Sequence, residues 1–300
     1  MTQQHSSLAF RGSLSVFFSA ALWGLFWLPM RYFDEAGLET MWGVAAINIA
    51  AVLIAVPAAL WAKEFKRDHL KWLLVIGAGM GIANVLYFAG LILSDVIRVT
   101  FLFYLLPIWA TIFSKLFFNE TLGGARILAV VLAFIGIWLL LGGGSWPIPQ
   151  NIGDVFGILS GMAWAFGLTM IRGQNELGAF ATTACSHMFA LVTAIVLGLI
   201  LSTTVPDVQS GFPILANKTH LIVPVLAFGI LILWTTMIGQ VWGAKQIAAT
   251  TAALLTMSEI IVATSSATII GHESLPLISW FGGGLILCAI FADLYGTKNG

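Results

Sequence analysis

Apolar runs of about 20 residues, the length that crosses a bilayer core of roughly 30 Å, alternate with short polar breaks along the whole 300-residue chain. The pattern predicts ten spans: 13–33, 40–62, 70–93, 96–118, 125–141, 152–171, 178–201, 220–242, 248–270 and 275–295. The polar stretch 202–219 is the longest connection and the expected variable loop.

One of these helices occurs twice. Residues 98–122 read as an apolar helix with Pro107 in its middle and an Asn119-Glu120-Thr121 exit. A shift of 153 residues lays it on 251–275, setting Thr111 on Thr264, Glu120 on Glu273 and Leu122 on Leu275. The same shift puts Pro107 on Ile260 and Leu106 on Glu259. A second echo, at a shift of 141, sets Ser19 and Trp23 on Ser160 and Trp164, and Arg31 on Arg172. The halves are then residues 1–144 and 145–300, each with five spans, and the 12 extra residues fall in the 202–219 loop. Five is odd, so the halves must lie upside down to one another. The expected fold is an all-α integral membrane protein of ten transmembrane helices, two inverted five-helix repeats around a central mid-membrane cavity.

Charge orients this arrangement. Of the 13 Lys and Arg, ten fall on the side of the N-terminus: Arg11, Lys63, Lys66, Arg67, Lys71, Lys115, Arg126, Arg172, Lys245 and Lys298. Arg31, Arg98 and Lys218 fall opposite. Positive loops stay inside, so both termini are expected in the cytoplasm. A composition of 59% hydrophobic and 9% charged residues, with mean hydropathy +0.98, leaves too few polar groups to coat a soluble domain. Zero net charge argues against nucleic acid. Cys185 and Cys288 lie inside apolar runs, with no metal-site or disulfide spacing. Met1–Ser7 is polar and leads directly into a long span, so no removable signal peptide is read. No G-x-S-x-G, H-E-x-x-H or Walker sequence is present. We therefore expect no catalytic residue, cofactor or metal, and movement driven by a substrate gradient or an ion.

Polar and aromatic residues recur on single faces at mid-span. Ser19, Trp23 and Trp27 follow one another at i, i+4, i+8, as do Ser160, Trp164 and Leu168. Met80, Asn84, Tyr87 and Phe88 share a face, as do Thr100, Tyr104, Pro107 and Thr111. Trp234, Met237 and Val241 align, with Thr236 and Gln240 beside them. A polar group in lipid must face a partner or a wet cavity. The expected substrate contacts are therefore Trp23, Asn84, Tyr87, Tyr104, Trp164, Trp234 and Gln240; helix–helix glue and core packing are the plainer alternatives. Glu259 is the only acid near the centre of a span, where a carboxyl costs about 3 kcal/mol and must be paired, protonated or solvated. It is the candidate proton or ammonium site, although a straight helical wheel turns it away from the face of Met257 and Ile260. Pro107 breaks a backbone bond mid-helix and is the candidate hinge. His187 reads as a satisfied interior histidine, and Trp42, Trp61, Trp72, Trp146, Trp242 and Trp280 as interfacial anchors. The series Gly153, Gly157, Gly161 and the pair Gly77, Gly81 read as close helix contacts.

Two inverted five-span halves, a Trp in the first span of each, and the exits Asn119-Glu120-Thr121-Leu122 and His272-Glu273-Ser274-Leu275 resemble the drug/metabolite transporter superfamily, EamA type. Members often carry a Pro 13 residues before a Gly-Glu at these exits; Pro107 and Glu120 match, with Asn119 in place of Gly. Glu259-Ile260 stands where a Glu-Pro pair is frequent, so there the proline is missing. Within the superfamily the chain is most similar to aromatic amino acid exporters of bacterial inner membranes. The resemblance implies export of aromatic and other neutral amino acids from the cytoplasm by alternating access, in membrane lipid, by a monomer that contains both halves. The alternative is an exporter of cationic drugs or other metabolites coupled to proton antiport. Small multidrug relatives place a carboxylate in the first span, where this chain has Trp23, so only Glu259 could serve. A non-transporting scaffold would be expected to carry a soluble domain or signalling tail, and a sugar-phosphate carrier central Lys or Arg; the sequence has neither.

Overall fold

Lipid offers no partner to a backbone N–H or C=O, so an apolar chain crosses it by closing its hydrogen bonds within helices. The computed structural model describes residues 2–36, 38, 40–94, 96–120, 123–141, 148–204, 219–270 and 276–296, and their regular structure is entirely helical. Thr121, Leu122, Trp146, the Gly142-Gly143-Gly144 and Pro147 turn, Lys218 with most of the 202–219 loop, the 272–275 exit and Lys298 lie outside the described residues, as do the side chains of Trp27 and Arg31.

Eight stretches are long and apolar enough to cross a membrane: Met41–Trp61, Arg67–Leu93, Arg98–Phe118, Ile152–Ile171, Ala179–Thr204, Thr219–Ala244, Ala249–Ile269 and Leu277–Tyr295. The expected first and fifth spans coincide with two shorter apolar helices, Ser7–Trp23 and Gly124–Leu140. Several stretches are interrupted, so the helices number α1 (Thr2–Trp23), α2 (Trp27–Glu35), α3 (Thr40–Trp61), α4 (Leu70–Leu93) and α5 (Val96–Phe103). They continue with α6 (Leu106–Phe118), α7 (Gly124–Leu140), α8 (Ile152–Ile171), α9 (Ala179–Thr204) and α10 (Ile222–Ala227). The last are α11 (Thr235–Ala244), α12 (Ala249–Thr256), α13 (Ser258–Ile269) and α14 (Leu277–Gly296). A π-helical stretch, Phe228–Trp234, joins α10 to α11.

The interruptions correct the expected continuous spans. The first span is broken at 24–26, just before Pro29 in the first turn of α2, where a missing N–H is tolerated. The span with Pro107 breaks at Tyr104-Leu105, and the proline enters the first turn of α6. Its counterpart breaks at Met257 without any proline. Tertiary contacts hold that second break: Ser258 Oγ donates to the Phe17 carbonyl over 2.9 Å, and Gly24 lies so close that a Cβ there would overlap the Glu259 carbonyl oxygen.

Packing pairs recur across the bundle. α8 lies on α4, α5 and α6; α1 lies on α11, α12 and α13. α3 packs on α9, and α7 on α14. Close approach depends on glycine: a Cβ on Gly161 of α8 would overlap the Phe103 carbonyl oxygen of α5, and one on Gly81 of α4 the Ser186 carbonyl oxygen of α9. The outer surface is apolar. Phe18, Leu53, Leu116, Leu231 and Phe281 are each at least 60% exposed, a coat suited to lipid. Of the expected anchors, Trp61 and Trp280 are exposed, whereas Trp42 is buried against Gly198 of α9 and does not serve as one.

One end of the bundle is tied by charge. Glu120 at the end of α6 pairs with Arg172 after α8 and with Arg126 of α7 (3.4 Å). Arg126 reaches Asp293 of α14 at 3.4 Å, and Asp293 accepts a 2.5 Å bond from Thr251 of α12. At the same end Glu64 accepts from the Ala181 N–H (2.9 Å), and Lys245 donates to the Leu177 carbonyl. Burial holds the Lys245 ammonium below its ordinary range, against the opposing pull of Glu64. Here α6 and α12 also meet, the Thr111 and Thr250 hydroxyls lying 3.2 Å apart. Their continuations diverge: α5 packs on α4 and α8, α13 on α1 and α14. At the other end, fully buried Asp154 is held by Arg98 (3.4 Å), Ser94 and the Gln150 N–H (2.8 Å).

Candidate functional site

The helix breaks bring seven elements to one cavity. Trp23 from α1, Asn84 and Tyr87 from α4, Phe103 from α5, Trp164 from α8, Gln240 from α11, Thr256 from α12 and Glu259 from α13 line it. Six of the residues singled out from the sequence therefore meet: Trp23, Asn84, Tyr87, Trp164, Gln240 and Glu259. Glu259 reaches the cavity on the same face as Thr256, three residues before it, whereas Met257 and Ile260 are buried and do not line it.

Tyr104 stands just behind the lining. It is buried, and its ring packs edge-on against Phe103 at 5.0 Å. Its hydroxyl lies within electrostatic reach of the Glu259 carboxyl, in a geometry short of a proper hydrogen bond. Trp234 is not brought to the lining: it ends the π-helical stretch and stacks on Phe180 at 6.1 Å, and neither Met237 nor Val241 of its expected face lines the cavity. Pro107 is buried at the start of α6, one turn beyond the lining. His187 is half satisfied. Its Nδ1 lies 3.0 Å from Asn48 Oδ1 between α3 and α9, and its Nε2 is buried without a partner.

The sequence reading did not include Phe103 and Thr256. The repeat carried the signal, since a shift of 153 lays Phe103 on Thr256, the last residues of α5 and α12 before each break.

One wall is a chain of rings. Trp23 stacks on Phe26 at 5.0 Å, Phe26 meets Phe88 at 5.2 Å, and Phe88 meets Tyr87 at 6.0 Å. Tyr87 continues to Phe103 at 4.7 Å and anchors its hydroxyl 3.2 Å from Thr100 Oγ1. Glu259 and small Thr256 complete the lining; no Lys, Arg or His lines the cavity among the described residues. Ser19 and Ser160, which mark the two Trp helices, stay in helix contacts: Ser160 donates to Gly157 and Ser19 packs on Gly239.

Three buried polar atoms around this cavity lack partners: Trp164 Nε1, Gln240 Oε1 and Tyr104 Oη. Each unmet group costs about 1–3 kcal/mol, so a ligand or water that satisfies them gains that much. The set is mixed. The indole N–H only donates, the amide oxygen only accepts, and the phenol does both. The cavity holds about 30 Å³ of water-accessible space, enough for water and far below the roughly 300 Å³ at which small-molecule pockets begin. A solute of amino-acid size enters only if the helices part. No group of three or more His, Cys, Asp or Glu among the described residues could hold a metal.

A family model of EamA-like transporters matches the chain twice, over residues 10–142 and 151–292. The chain belongs to the EamA-like transporter family. This EamA-like protein is 23% identical over 283 residues to the uncharacterized transporter YoaV of Bacillus subtilis (strain 168), covering 91% of this chain and 93% of YoaV. It is 22% identical over 247 residues to YyaM, another uncharacterized transporter of that bacterium, covering 79% and 77%. A solved crystal structure superposes over 94% of this chain and 95% of its own with a TM-score of 0.71 at 18% identity, so the EamA-like chain shares its fold. It is a multi-pass membrane transporter of small molecules.

Proposed function

We propose that this transporter exports neutral amino acids, aromatic ones among them, from the cytoplasm by alternating access through the cavity between Trp23 and Trp164. The unpartnered Trp164 Nε1 and Gln240 Oε1, both at one cavity, carry this reading. A zwitterion supplies what both lack: its carboxylate accepts from the Trp164 N–H with the Asn84 amide, and its ammonium donates to Gln240 Oε1 and pairs with Glu259. Rings along the first wall receive an apolar or aromatic side chain. The substrate contacts are Trp23, Asn84, Tyr87, Trp164 and Gln240, with Tyr104 acting through Glu259.

Two inverted repeats, residues 1–144 and 145–300, account for the doubled family match and for the recurring packing of α8 and α1. The excess of Lys and Arg at the tied end supports a cytoplasmic location for it and for both termini, in a bacterial inner membrane. With both halves in one chain, the unit of transport is a monomer. Pro107 and its counterpart position Ile260, each just beyond a helix break, are the hinges about which the halves part.

Aromatic walls, one carboxylate and no cationic side chain also suit an organic cation, the second reading. That reading leaves the donor-only Trp164 N–H without a role. Trp164→Phe keeps an aromatic face, though a smaller one, and deletes the donor. We expect counterflow of phenylalanine in proteoliposomes to fall about fivefold through a raised KM. An equal fall for a cationic dye, or no fall for phenylalanine, contradicts the amino acid reading.

A further inference from the structure

We infer that Thr256 sets which side chains the transporter accepts, an inference that rests on the amino acid reading of the cavity. Phe103 and Thr256 occupy equivalent positions in the two repeats, each the last residue before a helix break and each lining the cavity. On the first wall that position is filled. The Phe103 ring is wedged between Tyr87 at 4.7 Å and Tyr104 at 5.0 Å, and its backbone is pressed against Gly161 with no space between them. This wall is fixed by its neighbours and cannot yield to a larger ligand.

In the second repeat the equivalent position is a threonine, buried, with alanine, leucine, methionine and serine on either side of it in sequence, from Ala252 to Ser258. Its hydroxyl is committed to the Ala252 carbonyl at 2.8 Å, which leaves a methyl group to meet the ligand. Glu259, three residues on, lines the same cavity. A ligand whose ammonium pairs with Glu259 therefore has its α-carbon substituent beside Thr256 when the cavity opens. The ring wall grips one face of that substituent, and the size of residue 256 limits its bulk. The asymmetry between Phe103 and Thr256 becomes a preference for large, flat side chains, since a threonine takes up less of the opened cavity than the phenylalanine at the equivalent position.

The test compares Thr256→Leu and Thr256→Ala in proteoliposomes loaded with threonine, methionine, phenylalanine or tryptophan, reading counterflow of each. A methylene or two in an apolar pocket shifts discrimination by about 10-fold or more. We expect the tryptophan-to-threonine ratio to fall at least tenfold in Thr256→Leu and to rise in Thr256→Ala. A ratio that holds constant in Thr256→Ala, or moves the same way in both variants, overturns the assignment, and the alanine variant decides alone if the leucine variant does not fold. Absence of counterflow by the wild-type protein for all four overturns instead the amino acid reading on which the assignment rests.

Discussion

Glu259→Gln lowers amino acid counterflow at subsaturating substrate by tenfold to a hundredfold. The substitution preserves shape and removes charge. The carboxyl faces a cavity with aromatic walls and no cationic side chain among its lining residues, so a substrate ammonium is its natural partner. A hydrogen bond to a charged group is worth about 1.5–3 kcal/mol, which sets that range. The phenol of Tyr104 lies close behind the carboxyl with its hydroxyl unpartnered, so it is free to close a hydrogen bond to Glu259 when the ligand binds. Transport assays on purified protein at constant membrane potential check the prediction. Full amino acid efflux with loss of resistance to cationic dyes in this variant would move the assignment to the cation reading.

Asp293→Asn opens the Lys- and Arg-rich end. Asp293 is almost fully buried and accepts from Thr251 of α12 and from Arg126 of α7, which in turn holds Glu120 of α6. The chain of contacts therefore crosses from the α6/α8 group to the α12 side. Asp293→Asn strips Arg126 of one of its two carboxylates and leaves it Glu120, a loss smaller than the roughly 3–5 kcal/mol of a buried charge left with no partner. The cost falls on the conformation in which α6 and α12 touch and is relieved when they part. A cysteine at Thr250, buried where α12 meets the Thr111 hydroxyl, reports this opening. In a background with Cys185 and Cys288 replaced by alanine, the maleimide reaction of Thr250→Cys should accelerate at least tenfold when Asp293→Asn is added. An unchanged rate means that the network braces the helices without controlling access.

The sequence made the long helices and the convergence of six side chains legible, for definite reasons. Spans follow from run length alone, and the doubled helix at a shift of 153 pointed to the region where the halves meet. Trp23 and Trp164 were found as a pair because the repeat preserves them. What the sequence concealed depends on backbone breaks. Nothing local marks the interruption at Met257, which has neither proline nor glycine; Ser258 bonding to the Phe17 carbonyl and Gly24 under the Glu259 backbone belong to tertiary packing. Glu259 was referred to the face of Met257 and Ile260, which is buried away from the cavity, and Trp234 to the face of Met237 and Val241, which the cavity does not touch; Thr256 and Gln240 mark the faces that line it. Phe103 and Thr256 carry no chemistry that would single them out, and only their shared position in the repeat relates them. Trp42 looked like an anchor because it lies near a span end; a glycine opposite it on α9 gives the indole room inside.

If a zwitterionic amino acid satisfies the cavity between the two tryptophans, the purified protein exchanges free amino acids across a membrane. Counterflow of radiolabelled phenylalanine, threonine and methionine into proteoliposomes of the purified wild-type protein tests it most directly. Saturable exchange of label is expected, competed by the unlabelled amino acids and weaker for the corresponding amino acid amides, which lack the carboxylate. No exchange of any of the three, or equal exchange of acids and amides, would contradict it.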